Sequence, residues 1–353
     1  LKKKQLILGA IVLIALVALY IWGHDRFHFD YAVFRAQLAQ ANWWMILAGL
    51  SCIYAGYLFR SMRWAMLLRH HMKVSPFTLL GTQVIGFTAI ALIGRMADPV
   101  RPYLVSKKTG LSLSSQVAVY IVERLFDAGS FALIVSAALW LSSDAHGSAS
   151  TGFIKRYLTL ILTLCGALFL VLVRFYGEKI AQAAERLLSR ISQKFAHSVA
   201  HKIRAFHSGL DIMRSFGDFF RVATTSLIMW GLITLAYLFT MHAFTASPEL
   251  AGMTFPKAVG LMAAGGAAST LQLPIIGWFT QIAALEGSLI KFFHVAIEPA
   301  TACAVILLVV TFLAVIPVGL VWARFERVSL RKVAEESEHD VEVLEEDEEA
   351  TEQ

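Results

Sequence analysis

The chain has 353 residues, of which 57% are hydrophobic and 16% charged, and its mean hydropathy is +0.64. A soluble domain does not carry that composition; it predicts an all-α polytopic membrane protein. The three cysteines, Cys52, Cys165 and Cys303, all fall inside apolar runs, which removes disulfide frameworks, zinc ribbons and iron–sulfur clusters and leaves packing as their role. The formal charge of +6 conceals an asymmetry: residues 335–353 hold 11 of the 25 acids and no Lys or Arg, so the preceding 334 residues carry a net +17. Because those bases flank apolar segments rather than forming a separate basic helix, they fit phospholipid headgroups and topology, and no nucleic-acid partner is expected.

In chain order, residues 6–22 come after Lys2, Lys3 and Lys4 as an apolar run without a small-x-small cleavage site, and are expected to form an uncleaved first span. Further spans are predicted at about 43–60, 117–141, 153–173, 221–244 and 300–322, making about six full spans. Two weaker stretches, about 76–93 and 258–276, contain Gly, Thr, Gln or Pro and run on into a second half. If both return to the side they entered from, the cytoplasmic segments hold 24 bases against six outside, with Arg124 inside a span. A crossing at 76–93 would instead put Arg95, Arg101, Lys107 and Lys108 outside. The expectation is therefore two re-entrant helical hairpins, with both termini cytoplasmic.

Corresponding segments in the two halves start 178, 181 and 183 residues apart (43 and 221, 76 and 257, 117 and 300) and run in opposite directions, which predicts an inverted-topology repeat. The organisation expected is a single transmembrane domain over 1–325, with a first repeat at about 1–141 and a second at about 153–322. A basic linker over 174–220 carries an apolar stripe at spacings of three and four and is read as amphipathic helix on the cytoplasmic leaflet. Residues 326–353 are expected to be a disordered acidic cytoplasmic tail. Trp22, Trp43, Trp44, Trp64, Trp140 and Trp322 fall at predicted span ends, as an aromatic belt requires.

The chemistry concentrates in FRSMRW (59–64), GRMADPVRPY (94–103) and VERLFD (122–127). Glu123 and Asp127 are four apart and share a helix face, with Arg124 expected to point elsewhere; Arg60, Arg63 and Arg101 are the available partners. Charges at this depth are costly unless paired or facing a wet cavity. Two readings fit: arginines that hold a lipid phosphate bidentately while Asp98, Glu123 and Asp127 orient them or take a cationic headgroup, or a structural ion-pair network. Pro99 and Pro102 suit the turn of the first hairpin, as Pro274 and Gly277 suit the break in the second. In that second hairpin AAGGAAST (263–270) lets backbones approach closely, and Gln272, Gln281 and Glu286 are polar groups that could line the outer half of a pathway.

These motifs resemble a known family. Arg-x-x-Arg-Trp at 60–64, Gly-Arg-x-x-Asp-x-x-Arg-Pro at 94–102 and Glu-Arg-x-x-Asp at 123–127 are similar to the flippase-like membrane proteins related to the transmembrane region of lysylphosphatidylglycerol synthase, the multiple peptide resistance factor, over roughly residues 1–325. The loop has Ala97-Asp98 where the family usually has Gly-Glu, and TLQLPIIGWFTQ (270–281) keeps Pro274 and Gly277 without the family's Gly pair. The resemblance implies lipid translocation in a bacterial inner membrane, with anionic or aminoacylated phospholipid or a polyprenyl-linked lipid as the partner. The synthase's soluble aminoacyl-transfer domain is not seen in this sequence. No Asp-x-Asp, no phosphate-binding Gly-x-x-x-x-Gly-Lys loop and no complete metal-ligand set is present, His197 and His201 supplying only two ligands, so no cofactor, metal or enzymatic activity is expected. A membrane-embedded lipid-modifying enzyme and an accessory scaffold for a lipid or glycan synthase are the alternatives.

Overall fold

In the computed structural model, residues 29–69, 71–142, 215–269 and 276–329 are described continuously, together with 176–183, scattered positions up to 193, and Val333 and Glu336. The expected spans at 6–22 and 153–173, Cys165, Gln272, Pro274, the histidine pair, most of the 174–220 linker and nearly all of the acidic tail lie outside these residues.

The described elements are helical, and polar caps set where several begin. Helix α1 (Tyr31–Gln40) starts where Asp30 accepts from the amides of Ala32 and Val33; α2 (Trp43–Leu68) starts where Asn42 accepts from Trp44 and Met45. Helix α3 (Pro76–Ile93) takes proline in its first turn and stops at Gly94, whose φ of 92° is a backbone state that glycine adopts without strain. A 3₁₀ turn at Arg95–Ala97 leads into α4 (Val100–Thr109), and α5 runs from Leu113 to Leu141. The second half begins with α6 (Phe216–His242), capped by Ser215 on the Asp218 amide, so this helix already starts inside the stretch expected to be linker. The short α7 (Pro248–Ala251), α8 (Phe255–Ala268), α9 (Ile276–Phe293) and α10 (Ile297–Leu308) come next. A π-helical turn at Val309–Leu313 joins α10 to α11 (Val315–Phe325).

Among the described residues four helices are long and apolar enough to cross a membrane: α2, α3, α6 and the continuous 297–325 helix. At 1.5 Å per residue the 14-residue α8 reaches only about 21 Å and the 10-residue α4 about 15 Å, short of the ~30 Å hydrocarbon core. Helix α5 is 29 residues long but is not among the four; Glu123, Arg124 and Asp127 interrupt its apolar run.

Helices α2 and α6 form the centre and run antiparallel: the Asn42 amide donates to Ala243 at one end, and Arg63 reaches Ser226 near the other. Helix α3 packs on α2, on α4 and on α11, while α8 packs on α6, on α9 and on α5. Helix α4 also packs on α5 as α9 does on α10, and α1 lies against α10. Close approach demands small residues at several of these contacts. A Cβ on Gly86 of α3 would run into the Arg101 side chain, and one on Gly319 of α11 into Thr88. Just past the π turn, Tyr54 donates to Ala314 O at 2.8 Å and Thr88 to Val315 O at 3.1 Å, tying the 297–325 helix to α2 and α3. Cys303 is fully buried in the apolar core of the second half and Cys52 partly buried, in keeping with packing roles.

The tryptophans expected in the aromatic belt differ in exposure. Trp43, Trp44 and Trp140 are exposed at helix ends, whereas Trp64 is 1% exposed, donates to Gln116 at 3.1 Å and lies 5.1 Å from the Arg101 guanidinium. The expectation for Trp64 is corrected: a charged network beneath it uses the indole as a packing wall.

Candidate functional site

One α-helical turn of α2 presents Arg60 and Arg63 toward α5, one turn of α5 presents Glu123 and Asp127 back, and the first turn of α4 adds Arg101. Arg63 is 1% exposed and engaged through both terminal nitrogens: Nη2 donates to Glu123 Oε1 at 2.5 Å, and Nη1 to Asp127 Oδ1 at 2.6 Å and, across the halves, to Ser226 Oγ at 2.7 Å, while Nε has no partner. Arg101, also 1% exposed, clasps both Glu123 oxygens through Nη2 at 2.9 and 2.7 Å and donates from Nε and Nη2 to Gln83 Oε1 at 3.0 and 2.6 Å. Trp230 adds an indole N–H to Asp127 Oδ1 at 3.3 Å. Phe87 lies between two cations, with the Arg101 guanidinium 4.7 Å and that of Arg60 4.9 Å from its ring centre.

Arg124 does not point away. It shares the face of Asp127 three residues on, stands 3.0 Å from Asp127 Oδ2 and 3.8 Å from Glu123, and lies over the Tyr120 ring at 5.1 Å. The i, i+3 spacing places it on the acidic face as readily as the i, i+4 spacing places Glu123 there. The cluster therefore holds four arginines and two carboxylates, an excess of two positive charges. Arg60 is the least committed of the four: its Nη1 sits 3.9 Å from Glu123 and 3.7 Å from Asp127, is buried, and has no hydrogen-bond partner.

Arg60 opens onto a cavity of ≈220 Å³ between the two halves. Tyr57, Phe87, Arg95, Asp98 and Arg124 wall it from the first half; Trp230, Tyr237, Gly266, Gln281 and the π-turn residue Thr311 wall it from the second. The two halves also touch each other beside it. Arg95 donates to Ser269 O at 2.7 Å, and Trp278 of α9 donates to Ala91 O at 3.1 Å. Among the described residues no three of His, Cys, Asp and Glu come together as metal ligands.

The structure thus brings Arg60, Arg63, Arg101, Glu123 and Asp127 into one network and places Asp98 and Gln281 on the cavity wall. Gln281 is 5% exposed with Oε1 unpartnered. Glu286 is not part of the cavity lining; its Oε1 accepts from Thr301 of α10 at 2.7 Å, because five residues along α9 carry it more than a turn past Gln281. Pro99 caps α4, and Pro102 sits in that helix's first turn, where no intrahelical donor is needed. Gly277 lies in the first turn of α9. Of the glycine pair in α8, Gly265 packs, since a Cβ there would stand 2.8 Å from the Tyr237 hydroxyl, while Gly266 leaves open space at the cavity. Gln83, Ser226, Trp230 and the π turn are components that the sequence alone does not single out, and Arg95 enters it only as part of the 94–102 motif, without a site role. Gln83 alone carries a signal, an amide in an otherwise apolar helix.

These features define a helical membrane protein with a basic cavity built between two halves. The chain belongs to the family described as the lysylphosphatidylglycerol synthase TM region, whose model matches residues 6–345. No curated protein and no solved structure matches it.

Proposed function

We propose that this protein moves the polar headgroup of a lipid between the leaflets of a bacterial inner membrane, holding it in the cavity between the halves while the acyl tails stay in the bilayer. The observation that carries the reading is Arg60: a buried guanidinium nitrogen without a hydrogen-bond partner, on the wall of a cavity where positive charge exceeds negative by two. A buried guanidinium held only by ion pairs of 3.7 and 3.9 Å keeps a donor to spare, and an incoming phosphate or other anionic group would satisfy it bidentately. At ≈220 Å³ the space is below the ~300 Å³ at which drug-sized pockets begin, so it suits a headgroup and not a whole lipid. Anionic or aminoacylated phospholipids and polyprenyl-linked lipids are the substrate classes, with a lipid or glycan synthase as the partner that would supply or use them.

The architecture proposed is a single transmembrane domain over 1–325 with about six spans, two re-entrant hairpins and cytoplasmic termini. Its support is the exchange of equivalent contacts: α2 and α6 pair antiparallel, α3 packs on α11 where α8 packs on α5, and α4 lies on α5 where α9 lies on α10. Related halves that run in opposite senses and meet at broken helices give alternating access around one site. Transport without bond-making is favoured because both Glu123 oxygens and one Asp127 oxygen already accept from arginines or Trp230, which leaves these acids poor bases.

The test is headgroup-reporter accessibility in proteoliposomes of purified protein with fluorescent phospholipids, run in turn with anionic, aminoacylated and polyprenyl-linked lipid. Wild type should abolish inner-leaflet protection for at least one lipid, and Arg60→Ala, Arg101→Ala and Glu123→Ala should restore it. Full protection of all three by correctly inserted wild type, or wild-type rates in Arg60→Ala, would refute the reading.

A further inference from the structure

The end of α11 aims the chain back at the first hairpin. Arg327 adopts φ 54°, a left-handed state that L residues rarely take, and the Val328 amide donates to Ala323 O at 2.8 Å while that of Arg327 donates to Arg324 O at 3.2 Å. This is the Schellman reversal, here built on an arginine where glycine is usual. Past the reversal, Val333 and Glu336 lie along α4. Val333 is 9% exposed in a cluster with Ala97, Val100, Tyr103 and Leu104. Tyr103 donates to Glu336 Oε2 at 2.5 Å, Lys107 stands 3.5 Å from the same oxygen, and Lys108 pairs with Glu326 at 2.6 Å. A groove of ≈580 Å³ remains between α4 and this segment, with both lysines on its wall.

We propose that the acidic C-terminal segment, from Val333 onward, is an intramolecular ligand of the basic end of α4 and straps the first hairpin to α11. Its seat is already formed by Val333 and Glu336. The sequence beyond continues with acids at 338, 340, 342 and 345–349 and contains no Lys or Arg, which complements Lys107 and Lys108. Helix α4 carries Arg101 at its opposite end, so the strap fixes the helix from which the buried network is held. The strap would form whether or not the cavity carries a lipid headgroup.

Full-length protein in nanodiscs of zwitterionic lipid is treated with a zero-length carbodiimide coupler, and amide-linked peptides are identified by mass spectrometry. Coupling of Lys107 to Glu336, and of Lys108 to acids of the segment, is expected in preference to Lys73, Lys179 and Lys291. In parallel, the rate of cleavage after Glu336 by a glutamate-specific protease should rise about tenfold in the double variant Lys107→Glu, Lys108→Glu, whose surface changes leave the buried network intact. Coupling spread evenly over the exposed lysines, or equal cleavage rates in wild type and variant, would overturn the proposal.

Discussion

Glu123→Gln and Arg101→Gln, alone and together, measure what the buried network contributes. Glu123 accepts from two guanidiniums through contacts of 2.5 to 2.9 Å, and both partners are 1% exposed. Neutralising it raises the local excess from two positive charges to three and turns an amide N–H₂ toward a guanidinium; neutralising Arg101 lowers the excess to one but leaves Glu123 and Gln83 short of a donor. Removing one partner of a buried pair costs about 3–5 kcal/mol, or roughly 4–7 °C in the unfolding midpoint of a chain this long. The double variant restores the excess of two, so its cost should fall below the sum of the singles by at least ~1 kcal/mol, within the range found for contacting residues. Thermal unfolding of the four proteins in one detergent, with midpoints and enthalpies fitted together, gives the coupling. Additivity of the two losses would refute the view that Glu123 and Arg101 act as one charge-balanced unit.

Other substitutions separate architecture from the cavity. Arg63→Ala strands two carboxylates and Ser226 and should cost about 3–5 kcal/mol in the same unfolding assay, whereas Arg60→Ala removes no short hydrogen bond and should leave the midpoint nearly unchanged while stopping headgroup transport. Gly86→Ala and Gly319→Ala place a methyl against Arg101 and Thr88, and each should destabilise by about 1–3 kcal/mol; unfolding midpoints equal to wild type would show that the close helix approach is not needed. Arg327→Gly releases the left-handed strain at the end of α11 and should raise stability by about 1 kcal/mol, read as a higher midpoint that Arg327→Val does not reproduce.

Much of the network is legible in the sequence because its logic is local. Glu123 and Asp127 four apart on one helix, arginines three apart on another and a proline-flanked arginine in the loop between them admit few arrangements that leave all five charges paired. Arg124 departs from its expected direction for a physical reason: three and four residues of α-helix subtend similar faces, and a long guanidinium stem reaches across the difference. Ser226 carries no local signal, since it meets Arg63 only through the antiparallel packing of α2 on α6, 163 residues apart in sequence. The π turn at Val309–Leu313 is likewise silent in VVTFL, and the contacts just past it, from Tyr54 to Ala314 O and from Thr88 to Val315 O, join residues more than 200 apart in sequence. Trp64 shows the same limit from the other side, as a helix-end indole reads as belt until a buried Arg101 is placed beneath it.

A buried ion network is a poor way to gain stability, since well-packed apolar residues of equal volume commonly do as well or better. Its cost here is partly offset by Gln83, Ser226 and Trp230, yet Arg60 is left without a hydrogen bond at Nη1 and Arg124 without one at Nε. Atoms without a hydrogen-bond partner occur in both layers: Arg60 Nη1 and Arg124 Nε on the cavity wall, and Arg63 Nε, Gln83 Nε2 and Asp127 Oδ2 behind it. The layers differ in how tightly they are held: the inner one makes contacts of 2.5 to 3.0 Å that keep it rigid, and the outer one keeps donors beside open space, as a binding site requires. The deficits on the wall are the ones an incoming anion can reach, and the opposite responses expected of Arg60→Ala and Arg63→Ala follow from the short contacts that Arg63 makes and Arg60 does not.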